Sequence, residues 1–134
     1  MIEILMVIIL LGIVSAVAVP QFIDFRGEAK EAVTKSRMAS LKEAIVGGSG
    51  KSGYIAHMAS PPATLADLAN RGTKPVFDPI NKLGWNGPYI DSTVQGWDSD
   101  AWGTPYEYSG SARSIKSFGP NSACGDADDI LLLF

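Results

Sequence analysis

The first 23 residues carry a single charge, Glu3, set within Met1-Ile2-Glu3-Ile4-Leu5-Met6-Val7-Ile8-Ile9-Leu10-Leu11. From Ile4 to Val19 the only residues that are not aliphatic are Met6, Gly12 and Ser15. With Met1 and Ile2, the run approaches the ~20 residues that a membrane-spanning helix needs. A carboxylate is costly in hydrocarbon and calls for a cationic partner. The first basic residue is Arg26, roughly 35 Å from Glu3 along a helix rising ~1.5 Å per residue. Either the chain's own terminal amine or a group on another copy supplies the positive charge. A cleaved secretory signal fits poorly, because no basic region precedes the run, and Ala16, Ala18 and Pro20 lead into a helical pattern.

That pattern continues through Phe22, Phe25, Ala29, Ala32 and Val33 and then Met38, Leu41 and Ile45 at spacings of three and four, with charges between them. Glu31 and Lys35 form a favourable i,i+4 pair worth about 0.2–0.5 kcal/mol, and Gly47, Gly48, Gly50 and Gly53 end the helix. The periodicity predicts a helix from Ile2 to Val46, ~68 Å long, with a kink or local melt at Pro20. Its first half is apolar all round, and its second half has one stripe suited to packing on a small domain.

The whole chain has 134 residues, 46% apolar and 19% charged, enough for one compact domain and an appendage. Three segments are expected: an apolar helix at 1–23, its amphipathic continuation and glycine turn at 24–53, and a small globular domain at 54–134. The net charge of −3 and the lack of a basic run in the folded part exclude a nucleic-acid footprint. Cys124 is the only cysteine, expected to be buried or inert, and His57 the only histidine. No intramolecular disulfide and no His/Cys transition-metal site can form within one chain.

In the folded part, Thr64 is the expected N-cap of a short helix over 65–70, closed by Gly72. Short strand signals lie at 87–90, 105–109, 114–118 and 130–134, split by turn residues. They predict an antiparallel sheet of three or four strands with long loops, covered by the stripe of the long helix. The fold class is α+β.

Several motifs point elsewhere and fail. Gly47-Gly48-Ser49-Gly50-Lys51-Ser52 ends like a phosphate-binding loop, but Ile45 stands where that pattern needs glycine, and a helix precedes it where a strand is required. His57 has no acid partner nearby in sequence, and Trp85, Trp97 and Trp102 are expected as core anchors, not a ligand platform. Asp126, Asp128 and Asp129 follow Ser117-Phe118-Gly119-Pro120-Asn121 in one loop. Such oxygen-rich loops hold hard cations, although this spacing is not that of an EF-hand, and solvated acids are the plainer alternative.

The run from Ile2 to Phe22, with Glu3 and Pro20 seventeen residues apart, resembles the N-terminal signature of type IV pilins and pseudopilins. Gly84-Trp85-Asn86-Gly87-Pro88-Tyr89-Ile90, Asp100-Ala101-Trp102-Gly103-Thr104-Pro105-Tyr106-Glu107-Tyr108, Ser117-Phe118-Gly119 and Asp126-Ala127-Asp128-Asp129-Ile130 are similar to the major pseudopilins of type II secretion systems. The resemblance implies a pilin fold and a structural filament subunit in place of an enzyme. It implies a single-pass inner-membrane protein with its C-terminal domain in the periplasm, polymerising with copies of itself and working with minor pseudopilins and an inner-membrane assembly platform. The family's methylated phenylalanine and basic leader would precede Met1, so a late start assignment or a trimmed sequence is expected. Glu3 is implied as the subunit-assembly residue and Pro20 as the helix kink. Calcium is implied as a fastening ion held by the Phe118 carbonyl, Asn121, Asp126, Asp128 and Asp129, with Asn121 where the family has an aspartate. A surface pilus subunit for adhesion or motility is the alternative reading. A membrane-anchored enzyme using the loop acids has no supporting constellation.

Overall fold

In the computed structural model the apolar run and its charged continuation form one helix, α1, Ile2–Val46, of 45 residues. The structure describes all 134 residues except the side chains of Pro20, Gln21, Ile23 and Asp24, and the kink expected at Pro20 lies outside the described residues. Gly47 stops α1 with φ 99°, its N–H donating to the Glu43 carbonyl. A two-residue hairpin follows, β1 (Gly47–Gly48) and β2 (Lys51–Ser52), with Gly47 opposite Ser52. A Cβ at Gly53 would lie 2.2 Å from the Gly47 nitrogen and 2.6 Å from the Ile45 carbonyl oxygen, so only glycine lets the chain return across the helix end. The Gly-Lys-Ser motif is therefore an exposed hairpin after a helix, not a phosphate cradle.

Two short helices follow, α2 (Tyr54–Met58) and α3 (Ala66–Ala69). Thr64 is not the cap of α3. Instead, the Asp67 carboxylate reaches back and accepts from the Ala63 and Thr64 N–H groups at 2.9 and 3.0 Å, and it pairs with Lys74 at 2.6 Å. These N–H groups belong to residues that precede α3, so the carboxylate ties the preceding turn back onto the first turn of the helix, which has no side-chain cap.

Three antiparallel strands make the sheet, in the order β3 (Glu107–Ser109), β4 (Ser114–Ser117), β5 (Ile130–Leu133). Ile115 faces Tyr108 on one side and Leu132 on the other, and this row packs towards α1 around a fully buried Ile115. Leu131 and Leu133 alternate outward and are exposed. The strand expected at 87–90 does not form: Pro88 has no N–H for a ladder, and this stretch is fixed instead by the Tyr89 N–H donating to the Leu68 carbonyl at 2.8 Å.

The buried stripe of α1 is Thr34, Met38, Leu41, Ala44 and Ile45. Phe22, Phe25 and Val33, read as part of that stripe, remain 67%, 64% and 43% exposed, and Ala29 and Ala32 are exposed too. The domain reaches along the helix as far as Thr34, whose hydroxyl accepts the Ala101 N–H at 3.1 Å. Trp85 and Trp97 pack on the core as expected, with the Trp85 indole donating to the Asp67 carbonyl at 3.0 Å. His57 sits half-buried with Nδ1 3.0 Å from the Tyr89 hydroxyl and its ring edge on Phe77, a packing role.

Asp67 yields a pH prediction. Burial pushes its carboxyl up, but the Lys74 ammonium and the Thr64 and Ala63 N–H groups outweigh it and hold the carboxyl below the usual range. Asp78, through the Ile80 N–H, and Asp91, through the Thr93 hydroxyl, are held low as well. A carboxyl with a lower folded than unfolded value contributes stability above the unfolded value, about 3.9, and loses it as pH falls through the folded one. The melting temperature should accordingly be flat from neutrality to about pH 5 and fall below about pH 4. In Asp67→Asn this acid-induced fall should be shallower, and an equally steep fall would exclude Asp67 as a source.

Candidate functional site

Two regions hold the site residues that the sequence singles out. The first is the N-terminal part of α1. No part of Ile2–Val19 is buried, and its mean hydropathy is 2.9. A fully covered Val, Leu, Ile or Phe side chain is worth about 1.5–3 kcal/mol, so this surface represents tens of kcal/mol awaiting lipid or protein. Phe22 and Phe25 extend the exposed apolar surface past the span, on a stretch that already bears charges. Glu3 lies in the first turn, where free N–H groups and the helix dipole favour a carboxylate.

The second is the loop between β4 and β5. Gly119 opens it with φ 66°, and a Cβ there would lie 2.5 Å from the Asp128 carbonyl oxygen, so glycine lets the two ends of the loop close on each other. The Asn121 amide nitrogen donates to Asp126 Oδ2 at 2.7 Å and to Asp128 Oδ1 at 3.1 Å, while its oxygen accepts the Ala123 N–H at 2.7 Å. The interaction between the Asp126 and Asp128 carboxyls holds Asp126 low and pushes Asp128 up. Two carboxyls this close require a proton, a donor or a cation between them.

Asp129 has different partners. Its side chain is 10% exposed and bonds through Oδ2 to Lys116 at 3.1 Å and to the Gly125 N–H at 2.8 Å, while Oδ1 is buried with no donor among the described residues. Phe118 lies at the base of the loop with the Lys116 ammonium 5.7 Å above its ring. The structure thus joins Asn121, Asp126 and Asp128, and places Asp129 beside them on a separate partner. Among the described residues no three His, Cys, Asp or Glu side chains form a metal-holding group. Cys124, expected to be buried or inert, is exposed, and its sulfur is 3.2 Å from Lys116 Nζ.

Lys116 was not legible as part of this site, because its partners lie 8 and 13 positions on. The same holds for Asp100, which is 2% exposed. Its Oδ1 accepts the Trp102 and Thr104 N–H groups at 3.0 and 2.9 Å and its Oδ2 the Ser117 hydroxyl at 2.7 Å. Arg37 of α1 donates to the Ser99 and Asp100 carbonyls at 3.1 and 3.3 Å. Asp100 thereby ties the Trp-Gly turn to β4, and Arg37 ties it to the helix.

The type II secretion system (T2SS) protein G family matches residues 21–131. The chain is 31% identical over 108 residues to the type II secretion system core protein G of Pseudomonas aeruginosa, covering 81% of this chain and 69% of that protein. No solved structure gives a significant match. The long exposed apolar helix, the three-stranded sheet packed on its second half and these matches agree, and the chain belongs to the type II secretion system protein G family, the major pseudopilins.

Proposed function

We propose that this major pseudopilin polymerises with copies of itself into a periplasmic filament, the apolar half of α1 passing from the inner membrane to the filament core. The carrying observation is the wholly uncovered apolar surface of Ile2–Val19, continued by exposed Phe22 and Phe25. In this reading the helix is a single-pass inner-membrane anchor, the sheet domain is periplasmic, and Glu3 meets the terminal amine of a neighbouring copy. Minor pseudopilins and an inner-membrane platform start and extend the filament. The test is a deletion strain: secreted proteins should accumulate in its periplasm with surface pili intact, and the intact gene should restore export. Loss of surface pili with export preserved would assign the chain to a surface pilus instead.

The same reading gives the acidic loop a calcium ion, held by Asn121, Asp126, Asp128, Asp129 and the Phe118 carbonyl. What supports it is the all-oxygen donor set, the Asp126–Asp128 pair and the orphaned, buried Oδ1 of Asp129. Calcium would supply charge neutralisation and a cross-link between the two ends of the loop. A ligand that binds only the folded state stabilises it, by about 2.7 kcal/mol at a hundredfold excess over its Kd. The full chain in detergent micelles should therefore melt several degrees higher in calcium than in chelator, and Asp126→Ala should abolish the difference. Equal melts for the unaltered chain would remove the ion from the account.

A further inference from the structure

The acidic loop already contains a cation and a bridging donor of its own. Lys116 projects from β4, a paired central strand, and its ammonium sits between Asp129 Oδ2 at 3.1 Å and the Cys124 sulfur at 3.2 Å. Its side chain is 23% exposed against 10% for Asp129, so this pair is screened less than a surface ion pair. Asn121 performs the complementary task on the other two acids, its one amide nitrogen bridging Asp126 and Asp128. An aspartate at that position would place a third carboxylate against the pair, with nothing but an external cation to hold them together. Thr104 and Ser122 add a hydroxyl contact at 2.7 Å that pins the outer turn of the loop to the Trp-Gly turn.

We propose that this chain closes its C-terminal loop on its own cation, the Lys116 ammonium, with the Asn121 amide bridging Asp126 and Asp128, so that calcium strengthens the loop but is not required for the fold. The calcium half of this statement rests on the reading above, whereas the Lys116 half does not. The position of Asp129 makes the two compatible. Lys116 and Gly125 occupy one carboxylate oxygen and leave Oδ1 for a metal, as outer-shell partners commonly do for metal-binding carboxylates.

The test is the thermal melt of the full chain in detergent micelles, in chelator and in calcium, for the unaltered protein, Lys116→Met and Asn121→Asp, with terbium luminescence as the binding probe. Trp102 lines the same cleft as Asp128 and Asp129, which places a sensitiser near the ion. The unaltered protein should keep a cooperative melt in chelator. Lys116→Met, which removes the charge but keeps an unbranched side chain, should melt lower in chelator by roughly 4–8 °C and recover much of that in calcium. Asn121→Asp should also melt lower in chelator, show a larger calcium shift, and bind terbium about tenfold or more tightly. Loss of the cooperative melt of the unaltered protein in chelator, or an unchanged melt of Lys116→Met there, would overturn the proposal. If Lys116→Met is lowered equally in both buffers and no variant binds terbium, the lysine clasp stands and the calcium reading fails.

Discussion

Glu3→Ala should leave the protein in the membrane at normal abundance while reducing filament yield by about two orders of magnitude. This carboxylate is isolated, with no other side-chain charge before Asp24, so on the proposed filament its partner is the terminal amine or another cationic group of a neighbouring copy. Breaking a buried ion pair by removing one member costs roughly 3–5 kcal/mol, because the other charge stays uncompensated. A factor of ten corresponds to about 1.4 kcal/mol, so a loss at the low end already approaches the stated reduction. Apolar helices slide past one another with little preference for axial position, and a lone pair of opposite charges selects one register. Glu3→Gln preserves size and polarity and tests charge alone; it should also assemble poorly. Normal filament yield from Glu3→Ala, measured in sheared and membrane fractions, would show that shape and not charge sets the register.

The second large effect is expected at Asp100. Its carboxylate is buried and receives two backbone N–H groups and the Ser117 hydroxyl. Alanine would leave all three donors without an acceptor in a site closed to water, and hydrogen bonds to a charged group contribute about 1.5–3 kcal/mol each. Non-additivity tempers the sum, and a total loss of about 3–5 kcal/mol is expected, read by urea unfolding of the full chain in micelles through tryptophan fluorescence. Ser117→Ala removes one donor and should lose about 1 kcal/mol. The Arg37 contacts to the Ser99 and Asp100 carbonyls would weaken in Asp100→Ala, since the turn that presents them is no longer held. A loss under about 1 kcal/mol for Asp100→Ala would mean that the turn keeps its shape without the carboxylate.

The elements that could be read from the sequence were those governed by local chemistry. Helix α1 and its end at Val46 follow from an apolar run, the three- and four-residue spacing that continues it, and a glycine cluster, and β3, β4 and β5 fall within three of the four expected strand segments. What escaped depends on partners distant in sequence. Thr34, absent from the apolar stripe read from the sequence, is fully buried, with its hydroxyl accepting the N–H of Ala101, 67 positions away. Phe22, Phe25 and Val33 satisfy the periodicity of a packed face but find no cover within the chain, since periodicity identifies an apolar face and not what covers it. The short helix lacks the side-chain cap expected from Thr64, and the Asp67 carboxylate instead holds the Ala63 and Thr64 N–H groups of the turn before it. In the acidic loop the candidate ligands were legible by type, whereas the roles of Lys116 and of the Asn121 amide nitrogen required the chain to be folded back on itself.

In the proposed filament the apolar surface of α1 is covered by other copies of the same helix. Cryo-electron microscopy of filaments sheared from cells producing the full chain tests it most directly. The expected map has helices packed around the filament axis over residues 2–33, Glu3 at an intersubunit contact, and the sheet domains with Leu131 and Leu133 on the outside. Filaments whose axis is lined by the sheet domains, with the apolar helices turned outward, would contradict it.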